Sequence, residues 1–202
     1  MDEGSGLTDE RLVLLSKDGD LDAFNRLVDR FQGTVYSLCL RLLGNPQAAE
    51  DATQEAFLSA YRSISRFEGG NFRSWLLRIA ANESKDELRR RSRRDRAGSL
   101  DQMFGTLEAP IEVRDPSPGA ESELQRKELG ATLQQALDRL PFDQRQAVVL
   151  LDVHGYRYEE IAAMTGSSLG TVKSRIHRAR ERLRRDLSAL AEPLTATWRL
   201  DS

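Results

Sequence analysis

Two stretches of this sequence carry side chains whose types and spacing suit nucleic-acid chemistry. Trp75, Arg78, Asn82, Lys85 and Arg89 recur three or four residues apart, so a helix would set them along one edge. A ring that bases can stack on, an amide for an exposed base edge and cations for phosphates are what a single DNA strand requires. Trp75 lies at the margin of an apolar stripe, so it can serve the core and a base alike. Further on, Ser174, His177 and Arg178 fall opposite an apolar stripe of Val172, Ile176, Ala179, Leu183 and Leu187 at 3.6 residues per turn, with Lys173 and Arg175 on the shoulders. That division puts polar groups at the base edges of a duplex and cations at its phosphates. A solvated basic helix would look similar, but this run has only Glu181 in opposition and follows a glycine turn and a short amphipathic helix.

Bond-making chemistry finds no comparable support. His154 and His177 are the only histidines and Cys39 the only cysteine, with neither a glycine-rich phosphate loop nor clustered metal-ligand spacing. The expectation is a protein that is not an enzyme and takes no cofactor or metal. Cys39 sits in an apolar stretch and reads as a buried small hydrophobe. The 30 basic and 32 acidic residues leave a net charge of −2, so the chain as a whole is no basic DNA coat. The charge is segregated instead, basic at 85–96 and 173–185 and acidic at 108–128, which points to local nucleic-acid sites. With no signal peptide and no apolar run that could cross a membrane, the expected setting is the cytoplasm, without membrane insertion.

The elements that must position these stripes read as helices throughout. Thr8 can cap a short helix to about Lys17, and Asp20 starts a long one to about Leu43. In the latter Phe24, Leu27, Val28, Phe31, Val35, Leu38 and Leu42 form the buried face. Gly44 suits a left-handed helix end, and Asn45-Pro46 a cap and first-turn proline for a helix over roughly 46–64. On that helix Ala56, Phe57, Ala60 and Ile64 face inward. Asp51, Gln54, Glu55, Leu58 and Arg62 face outward, and a leucine among polar residues there suits a partner protein. After Phe67-Glu68-Gly69-Gly70 breaks the chain, Asn71 can cap a helix to about Arg96, with Phe72, Leu76, Ile79 and Ala80 as its apolar stripe. From 97 to 120 glycines, prolines and acids replace the pattern; this is a flexible acidic linker whose roughly 24 residues could span about 80 Å. Helices resume over 121–139 (Leu124, Leu129, Leu133, Leu137) and 142–153, separated by Pro141. Gly166 then ends one helix and Ser168 caps the next, with Ile161, Ala162, Val172 and Ile176 closing a small core between them, which is a helix-turn-helix.

The fold class expected is therefore all-α. Residues 1–7 are expected to be a disordered N-terminus, 8–96 a first helical domain, 97–120 the linker, 121–187 a second domain with the helix-turn-helix, and 188–202 a tail. A stand-alone helix-turn-helix regulator is the main alternative, and it predicts tight binding by the free protein to a palindromic site.

Several segments together resemble a bacterial sigma factor of the extracytoplasmic-function group, also called group 4. They are Asp51-Ala52-Thr53-Gln54-Glu55-Ala56-Phe57, the run from Phe72 to Asn82, Tyr158-Glu159-Glu160-Ile161-Ala162, and the run from Gly170 to Arg180. The resemblance covers about residues 8–187. It implies a transcription initiation factor that binds core RNA polymerase, through the β′ clamp helices and the β subunit, and directs it to promoter DNA. It also implies roles. Asp51, Gln54, Glu55 and Leu58 match the polymerase-binding stripe. The helix of Trp75, Arg78, Asn82, Lys85 and Arg89 matches the segment that opens and reads the minus-ten element, and the loop from Phe67 to Asn71 with Asn82 the pocket for a flipped-out base. Lys173, Ser174, Arg175, His177 and Arg178 match the reader of the minus-thirty-five element. The acidic linker matches one that lies in the polymerase channel. Members of that group are often held inactive by an anti-sigma protein, a further class of partner.

Overall fold

The computed structural model describes residues 7–98 and 120–196, with side chains described within 7–94 and 128–188. The described residues are all-helical. A first unit holds α1 (Asp9–Lys17), α2 (Leu21–Leu43), α3 (Pro46–Ser63), a 3-10 turn (Ile64–Arg66) and α4 (Phe72–Gly98). A second holds α5 (Ala120–Asp138), α6 (Phe142–Asp152), α7 (Tyr158–Thr165) and α8 (Leu169–Ala196).

Local chemistry explains where the helices begin. Asp20 accepts from the Ala23 amide at 3.0 Å, Asn45 from Ala48 at 2.9 Å, Asn71 from Ser74 at 2.9 Å and Ser168 from Thr171 at 3.1 Å. Thr8 accepts from Arg11 at 3.4 Å. Each cap satisfies an amide that the helix itself cannot, and each is worth about 1 kcal/mol. At α7 Glu160 reaches back instead, accepting from the Arg157 amide at 2.7 Å. Both glycine stops take the left-handed conformation, Gly44 at φ 67° and Gly166 at φ 61°. Past Leu187 the last helix continues to Ala196, further than a tail from 188 would suggest. Ser188-Ala189-Leu190-Ala191-Glu192 holds neither glycine nor a capping break, so nothing in it ends a helix.

The first core is built by size difference. From α2 come Leu27, Val35, Leu38 and Leu42, all fully buried. Facing them, α3 offers an alanine face of Ala48, Ala49, Ala56 and Ala60, which lets the helix axes approach. Cys39 is buried among them, and burial pushes its thiol pKa up. α4 adds Leu76, Leu77, Ala80 and Ala81, while Ile79 is only partly covered. The buried side chains of the second unit, Leu137, Leu140, Val148, Leu150, Ile161, Met164, Val172 and Ile176, continue the same apolar cluster. Leu129, expected on the apolar face of α5, is 68% exposed; the cover on this helix is found at Leu133 and Leu137. Leu124 and the linker fall outside the described side chains.

The two units dock on each other, and polar groups hold much of the seam. Arg145 of α6 is buried, donating to the Leu42 carbonyl of α2 at 2.6 Å and to the Asp138 carbonyl at 2.7 Å and carboxylate at 3.1 Å. Arg41 donates to the Gln134 amide oxygen at 3.2 Å, and the Gln134 NH2 returns a bond to the Arg41 carbonyl at 3.3 Å. On α4, Arg73 donates to the His154 carbonyl at 3.4 Å and lies 5.0 Å from the Tyr156 ring centre. Lys85 donates to Asp143 at 3.2 Å and stands 5.5 Å from the centre of the Phe142 ring.

Candidate nucleic-acid interface

α4 carries the first stripe from inside the core to its surface. Trp75 is half-buried, its ring 5.2 Å from Phe67 and 5.5 Å from Phe72. One part of the ring belongs to the core and the rest lines a groove. Arg78 and Asn82 follow, both exposed. The groove holds about 560 Å3, with Arg66, Trp75, Arg78 and Asn82 on one wall and Met164 and Gly166 of the second unit on the other. Phe67, counted with the loop, is only 7% exposed and packs against Phe72 and Trp75. What the loop offers at its surface is therefore Glu68, Gly69, Gly70 and Asn71. The two glycines sit at φ 107° and 90°, conformations that L side chains rarely adopt, and the Lys17 ammonium of α1 ties the loop by donating to the Phe67 carbonyl at 2.9 Å.

Further along α4 the cations are already engaged. Lys85 is paired with Asp143, and Arg89 with Asp86 at 3.0 Å. Glu87, nearly buried, gathers Arg90 at 3.0 Å, Arg91 at 2.9 Å and Arg94 at 3.3 Å. Burial raises its carboxyl pKa, but hydrogen bonds from Arg91 and Arg90 outweigh that and hold it below the ordinary value. The basic run is thus partly self-neutralised. The signal was in the sequence: Glu87 stands three and four residues before Arg90 and Arg91, the spacing at which helix side chains meet.

On α8, Val172, Ile176 and Ala179 face the core, while Lys173, His177 and Arg178 are exposed on the other side. The Ser174 hydroxyl donates to the Thr171 carbonyl at 2.9 Å. Arg175 turns back toward the protein, donating to the Ser167 hydroxyl at 2.8 Å and to Asp143 at 3.0 Å. It braces the turn between α7 and α8 against α6. Arg180 likewise bonds Asp152 of α6, and that hydrogen bond raises its pKa.

A third surface lies on α3, where Asp51, Gln54, Glu55 and Leu58 are all exposed, Leu58 at 46%. Beside Leu58 stands Tyr61, 44% exposed, its ring 5.0 Å from Phe24 in an edge arrangement. The helical pattern had not singled out Tyr61. Its position three residues after Leu58 on an exposed stripe was the available signal. The described residues hold no group of three or more His, Cys, Asp or Glu side chains that could bind a metal. No helix among them is long and apolar enough to cross a membrane.

Against known proteins, residues 27–94 match the family model for Sigma-70 region 2, and residues 131–183 that for Sigma-70, region 4. The chain is 44% identical over 164 residues to the ECF RNA polymerase sigma factor SigE of Mycolicibacterium smegmatis, a match spanning 81% of this chain and 61% of that relative. It is 39% identical to the ECF RNA polymerase sigma-E factor of Escherichia coli, over 87% of this chain and 92% of the relative. Among solved structures it is similar to the sigma factor RpoE of Bartonella quintana, crystallised in complex with the anti-sigma factor NepR. There the TM-score is 0.63 at 27% identity, covering 83% of this chain and 98% of that one.

Proposed function

The chain belongs to the extracytoplasmic-function RNA polymerase sigma factors, transcription initiation factors rather than enzymes, and from that premise we propose how its surfaces divide the work. The exposed stripe of α3, with Leu58 and Tyr61 amid Asp51, Gln54 and Glu55, docks on the β′ clamp helices of core polymerase. The outward face of α8, led by Lys173, His177 and Arg178, reads the minus-thirty-five element as duplex. The α4 edge and the loop before it take up the minus-ten element as a single strand. All of this belongs in the bacterial cytoplasm, where polymerase meets promoters. An anti-sigma protein is a fitting regulatory partner, since the similar RpoE was captured with one.

The observation that carries this reading is the exposure of Asn82 and Arg78 beside a half-buried Trp75, next to a loop of two positive-φ glycines. Backbone can approach DNA closely there, a ring face is available, and an amide with both donors and acceptors stands exposed about two turns further along α4. Opening DNA costs about 1.4 kcal/mol per base step in lost stacking, while stacking on a protein ring returns about 1–3 kcal/mol per base. One captured base cannot melt a bubble, so polymerase supplies the remainder.

The test is permanganate reactivity of thymines in the minus-ten region, with polymerase holoenzyme on duplex and premelted templates. Asn82→Ala is expected to leave closed complexes intact and to impair opening, with partial rescue on the premelted template. If Asn82→Ala opens duplex promoters as well as the parent does, the capture role is wrong.

A further inference from the structure

α8 is pinned to α6 at both ends of the shorter helix. Asp143, the second residue of α6, accepts from Arg175 at 3.0 Å. Asp152, the last residue of α6, takes Arg180 through both carboxylate oxygens, one from a terminal guanidinium nitrogen and the other from Nε at 3.2 Å. That second pair sets a fork on a fork, which fixes direction as well as distance. Arg175 also donates to the Ser167 hydroxyl at 2.8 Å, in the turn that leads into α8.

The two arginines straddle the buried stripe of α8. With a helical turn of about 3.6 residues, Val172, Ile176 and Ala179 centre on one direction, and Arg175 and Arg180 lie about 70° to either side of it. Ser174, His177 and Arg178 fall on the opposite side. The stripe itself is a poor reference for rotation. It is narrow, it is made of small or β-branched residues, and apolar burial has no direction of its own. A roll of about 20° would carry a group about 6 Å from the helix axis through about 2 Å. That is enough to break a hydrogen bond to a base edge, whose partners must lie within about 3.2 Å of each other. Tied on both flanks, α8 can turn neither way without stretching one of the pairs.

We propose that Arg175 and Arg180 are positioning residues for duplex reading: with Asp143 and Asp152 they set the roll of α8 and so aim Ser174, His177 and Arg178 at the base edges, and neither arginine serves a phosphate. The proposal rests on the duplex-reading role given above. Both pairs are partly exposed, so each adds little to stability. What they supply is the angle at which the reading face is presented.

The experiment uses polymerase holoenzyme assembled with the full chain, on duplex promoters randomised across the minus-thirty-five element. Two quantities are read for each variant: the ratio of affinities between the preferred and the average element, and the slope of log affinity against log salt. Asp143→Asn and Asp152→Asn each remove a negative charge from the unit that meets the duplex, which by itself would tighten binding to every sequence. As braces they should instead lower the ratio about two- to tenfold, within the weight of one base contact. Arg175→Ala and Arg180→Ala should lower it likewise with the salt slope unchanged, and Arg175→Ala combined with Asp143→Asn should cost no more than either alone. Arg180→Lys, which keeps a charge for a phosphate but not the fork, should lower the ratio too. Asp143 also receives Lys85 of α4, so Asp152→Asn is the arm that leaves that contact alone. Loss of a phosphate contact behaves differently, weakening all sequences alike and reducing the slope by about one. A ratio retained in Asp152→Asn, or a reduced slope with the ratio intact in Arg175→Ala and Arg180→Ala, would overturn the proposal. If the duplex-reading role itself is wrong, Arg178→Ala keeps its ratio as well; if Arg178→Ala lowers the ratio and the brace variants do not, the proposal alone falls.

Discussion

His154 shows how much a single residue's setting decides. One of two histidines, it has a carbonyl that receives Arg73 and a largely buried ring, with Nε2 lacking a hydrogen-bond partner. Burial, helped by the nearby Arg73 charge, lowers its pKa from 6.5 to about 4. The folded protein therefore holds a neutral ring where the unfolded chain would bind a proton. Its contribution to stability is complete above pH 6.5 and is lost as pH falls toward about 4. Glu87 acts in the same direction at lower pH, because its carboxyl is held below the ordinary value. Urea unfolding across pH 4–7 should thus show declining stability toward acid, and His154→Gln should flatten the part of the slope above the carboxylate range. An unchanged slope would mean that another group governs it. At this scale, residues on outward stripes were legible in the sequence: Arg78, Asn82, Lys173, His177 and Arg178 stand exposed where periodicity put them. Phe67 and Arg175 were not. Their burial and back-bonding depend on partners distant in sequence or across a turn, and spacing along one helix cannot report those.

Helices were more readable than their seams. Five side-chain caps were written in the chain as Thr8, Asp20, Asn45, Asn71 and Ser168, each followed by helical periodicity, and all five bond the amides that make them caps. Gly44 shows both sides of the matter. Its left-handed stop was legible, but its second duty was not: a Cβ there would fall 2.5 Å from an Asp138 carboxylate oxygen of α5. Gly44→Ala should therefore lower stability by about 1–3 kcal/mol through backbone strain alone, with a further loss from the clash. Thermal unfolding of Gly44→Ala with and without Asp138→Ala separates the two, because only the clash is relieved by the second change. The exposed stripe of α3 behaves differently. Leu58→Glu should leave the melting temperature within about a degree or two, as surface changes usually do, yet weaken co-purification with core polymerase. Equal retention of polymerase by parent and variant would remove α3 from the proposed interface.

At the scale of the whole molecule, helical periodicity announced two sets of helices, but not how they dock. Arg41, Arg73 and Arg145 look like ordinary helix-surface charges in the sequence, and only the folded chain reveals that they hold a side-chain amide oxygen, backbone carbonyls and a ring across the seam. One tie within the first unit reaches further than its size suggests. The Lys17 ammonium on the Phe67 carbonyl, with Arg30 holding the Leu7 carbonyl and the Asp9 carboxylate, makes α1 a splint for the glycine loop. A loop with two such glycines would otherwise wander over many shapes and have to settle as the strand arrived. Splinted, it meets the strand already formed, so entry should proceed at the pace of encounter, with little dependence on temperature and only a small change in heat capacity. Cutting the splint with Lys17→Ala should leave the groove's chemistry in place and slow its filling, turning a collision into a wait.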